Sequence, residues 1–600
     1  MKARSTLIDA IEASFVRPPD ADVEETWLTS GCGLIFEELQ DFYGESLSEG
    51  LWAVALLLCS LAKGGTCLDF AALGDLPELR RLPEHLRIWS ASQWSGAFSC
   101  VTPSKKVQPL ILSGTRLYFD RYFVLEARTA QLLSRELATG APMAPADWTD
   151  RVNSVFGSDE SNRQRRAALD FWSSRTFIIA GGPGTGKTTT VARTLVALAP
   201  EISNEATPFR VKLCAPTGKA AQRMTSALVR AAAEMGQTAV MDAILQQAEP
   251  ITIHRLLGIT PINMRRRSTN PLPADLVIVD ETSMVDIALL SELLQSLSDT
   301  ARLIVVGDPH QLQSVDVGST MGDIVVAMTR GYLSGVELDV VHRVAGSGRA
   351  DLLDFFATLK ARDADGVESW IDGRSSVISF IDVSESGEPA IETTDAWANV
   401  LSRGRELVSL ARDTPLNSEA IFAASTSVMV LTAQHQGPLS RTWWTRKVAD
   451  ALHLRIGTNP DVPGFPVLVT QSNRDSNLTN GDDGVVCLVD DYPVVIKSDQ
   501  ERTHVNPGSI EHWQPWWAMT IHKSQGSEFD HVIVSLTPGT SLISRELLYT
   551  AVTRARLSVT IIGTRKDLRV AVEKETKRAS GLAEQIELLI EERHSSDAVH

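Results

Sequence analysis

Positive charge is in short supply in this chain. Its 600 residues carry 57 Lys and Arg against 74 Asp and Glu, a net charge of −17. A protein that coats nucleic acid indiscriminately needs a broad basic footprint, so that class is excluded. A narrow basic channel inside an acidic exterior is not excluded, because phosphate contacts are local. The acid is unevenly spread: residues 1–50 hold three Lys/Arg and eleven Asp/Glu. Cysteine is sparse too, with six residues (Cys32, Cys59, Cys67, Cys100, Cys214, Cys487) and no CxxC pair. Neither a zinc site nor a disulfide framework is implied, and a reducing cytoplasm is the expected location. Long apolar runs are missing. The longest, Leu51 to Ala62, is too short to span a bilayer and reads as a buried helix, so no membrane association is expected. The N-terminus places Asp9 and Glu12 where a signal peptide needs an apolar core, so no export signal is expected. Repeats and low-complexity tracts are absent. The length suggests about four domains of roughly 150 residues.

What is present centres on Gly181-Gly182-Pro183-Gly184-Thr185-Gly186-Lys187-Thr188. An apolar run from Thr176 to Ala180 precedes it and reads as a buried strand. Thr189 to Leu198 follows and reads as a helix. Strand, glycine loop with Lys-Thr, helix is the context a phosphate-cradling P-loop requires. The glycines let backbone N–H groups close around phosphates, and the helix N-terminus adds partial positive charge. Lys187 is placed to reach the β- and γ-phosphates, and the Thr188 hydroxyl to sit on Mg²⁺. The expected cofactors are therefore ATP and Mg²⁺.

The organisation around this loop is alternating β and α from about residue 160. Candidate buried strands are Phe177–Ala180, Val211–Ala215, Leu276–Asp280 and Leu303–Gly307, separated by helical patterns, as in a parallel sheet covered on both faces. A second set, Val428–Thr432, His531–Leu536 and Ser558–Gly563, suggests a second α/β domain. Residues of about 446–514 read as a small β insertion with Asn480-Gly481-Asp482 turn chemistry. Residues 1–150 show no nucleotide motif and read as mainly helical, with a hairpin near Pro109–Phe119 and a linker over Gly140–Asp150. The tail after about 576 reads as a charged, fraying helix.

Further motifs carry chemistry. Val277-Ile278-Val279-Asp280-Glu281 is an apolar strand ending in two acids. In a P-loop enzyme Asp280 holds Mg²⁺ there and Glu281 orients and deprotonates the attacking water. In Gly307-Asp308-Pro309-His310-Gln311-Leu312, Gln311 reads either as a γ-phosphate contact or as part of a plain turn. In Tyr549–Arg556, Arg554 reads either as a finger reaching the γ-phosphate across a cleft or as an exposed helix-end arginine complementing the dipole. The segment Trp517–Phe529 mixes hydroxyls, His, Lys and Gln in a way that suits a nucleic-acid backbone, with Thr520, His522, Ser524 and Gln525 as candidates. Thr217 and Lys219 in Ala215–Ala221, and His254 in Thr252–Gly258, are similar in kind, with a plain loop and capped helix as the alternative; for His254 alone a satisfied structural histidine is the better reading. Arg265-Arg266-Arg267 is either a solvated loop or a phosphate contact. Trp443, Trp444, Trp513, Trp516 and Trp517 are either core or base-stacking platforms.

Together these segments resemble the motif series of superfamily 1 helicases, in the order Gln164, 181–188, 213–224, 252–258, 280–284, 307–313, 343, 520–529 and 549–556. The strings VIVDETSM (277–284), TIHKSQGSEFDHV (520–532) and LLYTAVTRAR (547–556) are most similar to the family of exodeoxyribonuclease V alpha chains, the D subunits of RecBCD helicase–nucleases. The likeness extends to 109–122, 270–272, 464–467 and 480–482, and so covers most of residues 60–570. It implies an α/β fold of two tandem RecA-like P-loop motor domains, with a small β insertion in the second and a mainly helical N-terminal domain. The expected division is 1–150 for partner docking, 151–335 and 336–575 for the motors, with the insertion at about 446–514, and 576–600 for the tail. The resemblance further implies 5′→3′ movement on single-stranded DNA from duplex ends, in a heterotrimer with beta and gamma chains that processes double-strand breaks for homologous recombination. Gln164 is then the adenine reader. Thr189 extends the P-loop contact, Arg343 and Arg554 are the two arginine contacts, and Glu528 is the glutamate of motif V. The chain departs from the family pattern at His310, where an acid is usual, and at His342 and Val344, where aromatics often flank the arginine. It shows no clustered Asp, Glu and Lys of a nuclease, so cleavage is expected of a partner. A free-standing superfamily 1 DNA or RNA helicase is the alternative, although the DNA branch commonly carries N-terminal helix-hairpin-helix elements that are not found here. A non-motor subunit with structural ATP fits the Lys187, Glu281, Gln311 and Arg554 set poorly.

Overall fold

A computed structural model describes residues 6–16, 28–29, 31–98, 108–259, 271–339, 349–383, 391–457, 459–471, 478, 480–498, 503–540 and 542–597. Arg343 with His342 and Val344, the Arg265–Arg267 run and Cys100 lie outside the described residues.

The N-terminal region is built on the apolar helix α1 (Gly50–Ala62), buried as its composition requires, and on β1 (Leu68–Asp69), β2 (Leu110–Ser113) and β3 (Arg116–Phe119). The latter two form the expected hairpin, and the order is β1-β3-β2, antiparallel. Helix α2 (Asp120–Leu133) leads through α3 (Trp148–Phe156) and α4 (Arg163–Asp170) into the first motor.

There β4 (Thr176–Gly181) runs into α5 (Lys187–Ala197), followed by β5 (Val211–Ala215), α6 (Gly218–Glu234), β6 (Ile251–Thr252), β7 (Leu276–Val279), α7 (Ile287–Ser296), β8 (Arg302–Gly307), α8 (Thr320–Thr329) and β9 (Ser334–Leu338). Among the described residues these strands form a parallel sheet in the order β6-β5-β7-β8-β4-β9. Every residue of β4 is buried because alternate side chains enter two different layers. Phe177 and Ile179 pack with α3, α4, α5 and α6. Ile178 and Ala180 pack with α7 and α8. That is why the strands read as continuous apolar runs.

The second motor contributes β10 (Ile378–Asp382), β11 (Val428–Thr432), β17 (Ala518–Thr520), β18 (Phe529–Ser535), helix α9 (Arg545–Val552) and β19 (Ala555–Gly563). These strands are parallel in the order β10-β19-β18-β11-β17. Between β11 and β17 lies an antiparallel sheet, β15-β14-β13-β12-β16, of β12 (Pro466–Val469), β13 (Asp483–Val489), β14 (Tyr492–Lys497), β15 (His504–Val505) and β16 (Trp513–Pro515). The architecture is thus the two-motor α/β fold with a β insertion. The short strands β9, β10 and β17 carry too little apolar pattern to be read from sequence.

The last helix, α10 (Leu582–Asp597), does more than the sequence suggests. Leu582 and Ile586 are fully buried in the same layer of the first motor as Ala130 and Leu133 of α2. A helix from each end of the chain therefore completes that layer. Glu126 locks the junction. It is fully buried and accepts hydrogen bonds from the Thr66 hydroxyl, from Ser580 Oγ (2.8 Å), from the Gly581 N–H (3.2 Å) and from Gln585 Nε2 (3.1 Å). Burial pushes its pKa up, and these donors oppose the shift. Glu126→Ala leaves these donors facing a gap, which costs about 3 kcal/mol. A lowered denaturant midpoint and faster proteolysis near residue 580 are expected, and an unchanged midpoint would show that the cluster does not hold the junction.

Candidate active site

The motif loops of the first motor leave the carboxyl ends of β4, β5, β7 and β8. Parallel strands bring those ends to one edge of the sheet, where ligand sites of open α/β sheets form. The edge opens into a cleft of about 1160 Å³ whose opposite wall belongs to the second motor.

In the P-loop, Gly184 and Gly186 have φ of +78° and +84°, a region strained for other residues. A Cβ at Gly186 would stand 2.1 Å from Gln164 Nε2. Lys187 opens α5, and its ammonium donates to the carbonyls of Gly181 (2.6 Å) and Gly182 (3.0 Å). The charge lies within the loop, where phosphate oxygens can take over from these carbonyls. Thr185 is buried and donates to Gly182 O at 2.9 Å, while Pro183, Thr188 and Thr189 line the cleft. Gln164 is buried beside them, its backbone N–H capped by Asn162 and its Nε2 donating to Thr185 O at 3.1 Å. The glycine cradle, the helix N-terminus and the enclosed ammonium suit a nucleoside triphosphate.

At the end of β7, Asp280 accepts from the Glu281 N–H at 2.8 Å. Burial first, then repulsion from Glu281, pushes Asp280 up to about 6, against the pull of Lys187 and Arg223. A divalent cation placed between Thr188 and Asp280 would offset that burial cost. Glu281 adopts φ +51° and lines the cleft. Its Oε1 is 3.6 Å from Arg223 Nη1.

Arg223, absent from the sequence reading, also pairs with Glu528 at the start of β18. It therefore bridges the two motors. A signal existed: Lys219, Arg223 and Arg230 of α6 recur at helical spacing on one face, and all line the cleft. Glu528 and Arg554 stand at the amino ends of β18 and β19, so the second sheet meets the cleft with the opposite strand ends from the first.

Arg554 is 2% exposed, so the reading as a solvent-exposed helix-end arginine does not hold. Its Nε donates to Thr550 O (3.1 Å) and Nη1 to Ser527 O (3.4 Å). Burial lowers its pKa, and Glu281, Glu528 and Asp308 counter this. For the Gly307–Leu312 segment the turn reading is realised, and the γ-phosphate reading keeps a side chain at the cleft. Asp308, fully buried, closes the turn by accepting from the His310 N–H (3.0 Å), Gln311 Nε2 (3.4 Å) and Tyr549 OH (3.2 Å). Gln311 at the same time lines the cleft.

The candidate DNA contacts divide. Thr520, Ser524 and Gln525 are buried. Ser524 Oγ donates to Ile521 O (2.7 Å) and Gln525 Nε2 to Leu312 O (2.8 Å), so their polar groups are engaged within the chain. His522, Lys523 and His254 are exposed. Thr217 caps α6 by accepting from Ala220 N. Lys219 pairs with Asp483 of the β insertion at 2.9 Å and lies 5.3 Å above the Trp516 ring. Trp444, Trp516 and Trp517 are fully buried, which settles those three as core rather than stacking platforms.

Two parallel sheets facing one nucleotide cleft, with a P-loop on one wall and an arginine on the other, define a two-domain P-loop helicase motor. Residues 164–317 match the family described as AAA domain, and residues 515–562 the UvrD-like helicase C-terminal domain. The chain is 34% identical over 552 residues to the RecBCD enzyme subunit RecD of Mycobacterium tuberculosis, covering 90% of this chain and 91% of that protein. It belongs to the RecD family. The RecBCD enzyme subunit RecD of Haemophilus influenzae is 30% identical over 81% of this chain and 82% of that protein. The ATP-dependent RecD2 DNA helicase of Deinococcus radiodurans is 28% identical over 74% of this chain and 54% of that protein. A Bacteroides Pif1 structure bound to ssDNA superposes with a TM-score of 0.38 at 16% identity, over 74% of this chain and 98% of that one. Among the described residues no helix is long and apolar enough to cross a membrane.

Proposed function

We propose that this chain is the ATP-driven 5′→3′ DNA helicase subunit of a RecBCD-type helicase–nuclease acting on double-strand breaks in the cytoplasm, with beta and gamma chains as partners. The observation that carries the reading is the cleft itself: Lys187, Asp280 and Glu281 stand on one wall, Glu528 and Arg554 on the other, and Arg223 ties Glu281 to Glu528.

Lys187 and the backbone of 184–188 would hold the phosphates of ATP, Gln164 its base, and Thr188 with Asp280 the Mg²⁺. ATP supplies the phosphoanhydride whose cleavage drives the cycle. Glu281 orients and deprotonates water, and Gln311, Arg343 and Arg554 meet the γ-phosphate. Because the two walls belong to different motors, nucleotide-dependent closure changes their separation, and alternating grip converts this into stepping. Contacts to the DNA backbone are assigned to Thr217, His254 and His522, with Lys219 able to exchange Asp483 for phosphate. The region 1–150 is assigned to docking, the motors to 151–335 and 336–575, the insertion to about 446–514 and the remainder to 576–600. Any deletion that probes docking should stop before α2, since Ala130 and Leu133 belong to the first motor's core.

The test is unwinding by the full chain with its partners. A duplex with a 5′ single-stranded tail is expected to open in the presence of ATP, and one with a 3′ tail to remain closed when the chain is the only active motor. Opening from the 3′ tail would overturn the polarity, and hydrolysis indifferent to single-stranded DNA would overturn the motor assignment.

A further inference from the structure

The segment carrying Gln311 continues as a loop, residues 312–319, into α8, and different parts of the chain hold its two ends. At the near end the second motor grips Leu312: its N–H donates to Thr550 Oγ1 at 2.7 Å, and its carbonyl accepts from Gln525 Nε2 at 2.8 Å. At the far end stands Arg578, from the segment between the second motor and α10 and outside every helicase motif. Its Nη2 donates to Ser314 O at 2.7 Å, and its Nη1 to Asp316 O at 3.0 Å and Gly318 O at 3.1 Å. Carbonyls of alternate residues thus converge on a single guanidinium, a task for a planar fork of donors. The N-terminal region closes on the same point. The Gly318 N–H donates to Gly64 O at 2.8 Å, and the Thr66 N–H to Ala579 O at 2.8 Å. Gly64 has φ +86°, and a Cβ there would lie 2.5 Å from Arg578 Cζ. Burial lowers the pKa of Arg578, with Asp316 opposing, yet an arginine stays charged.

We propose that Arg578 is a positioning residue for ATP turnover, fixing the far end of the 312–319 loop so that Gln311 is set when the second motor holds Leu312. This rests on the reading of Gln311 as the γ-phosphate contact. Gln311 and Ser314 are three residues apart, within about 10 Å of chain, so freedom at the Arg578 clamp passes directly to the Gln311 amide. A misplacement of about 1 Å at a reacting group can cost on the order of a hundredfold in rate. The same guanidinium is where the N-terminal region touches the loop, and it gives that region a physical route to the ATP site.

The experiment measures kcat and KM for ATP, with single-stranded DNA, on the full chain in its complex, for Arg578→Ala, Arg578→Lys, Gln311→Ala and the double variant, with thermal unfolding of each. Arg578→Ala is expected to lower kcat about ten- to a hundredfold with KM within about twofold. Arg578→Lys should recover part of the loss, because an ammonium can still donate to these carbonyls. The double variant should be no slower than Gln311→Ala alone, since the clamp acts through that residue. An unchanged kcat in Arg578→Ala, losses that multiply in the double variant, or a loss that follows only the folded fraction would overturn the proposal. Gln311→Ala turning over at the wild-type rate would instead sink the γ-phosphate reading beneath it.

Discussion

Glu281→Gln is expected to bind ATP as the wild type does and to hydrolyse it about 10²- to 10⁴-fold more slowly, the range lost with a general base. The amide keeps the shape of the side chain, and Arg223 keeps its pair with Glu528, so the bridge between the motors survives while proton abstraction does not. Lys187→Ala should fail differently. It removes the charge that now rests on Gly181 and Gly182, so phosphate binding and DNA-stimulated hydrolysis fall together. Equilibrium binding of a fluorescent ATP analogue beside steady-state turnover separates the two. Wild-type turnover in Glu281→Gln would remove that residue from the chemistry and leave the base to be found elsewhere in the cleft.

Arg554→Ala should slow hydrolysis by about 10³- to 10⁵-fold, the contribution of an arginine finger where it has been measured, with little change in nucleotide affinity. The structure adds a complication that the sequence could not. This arginine is buried and hydrogen-bonded to Thr550 and Ser527, so truncation also removes the bonds that tie α9 to the segment leading into β18. Arg554→Lys keeps volume and charge but loses the fork. It is therefore expected to fold normally and still lose most of the rate. Parallel loss of affinity and rate in the lysine variant would mark Arg554 as a structural residue.

The parts of this machine that were legible in the sequence are local. The P-loop announces itself because glycines, lysine and hydroxyl must be consecutive to wrap a phosphate, and because a buried parallel strand must be apolar on both faces. The strands Val211–Ala215 and Val428–Thr432 were read with the bounds they have in the structure for that same reason. The acidic end of β7 followed from its place after such a strand. The candidate DNA contacts are less legible. A segment such as Thr520–Gln525 looks equally polar whether its groups face solvent or, like Ser524 and Gln525, bond to their own chain.

The sequence by itself determined the nucleotide loop, the two α/β motors and the family. What only the tertiary structure decided is how distant pieces meet. Arg223 lies between Glu281 and Glu528, α2 and α10 from opposite ends of the chain complete one layer around Glu126, and Arg578 reaches the loop behind Gln311. Each joins residues separated by tens to hundreds of positions, and no periodicity or spacing along a chain encodes such a meeting. It is set when amphipathic faces, each satisfied by any apolar partner of the right shape, are packed so that one compact arrangement buries them all together.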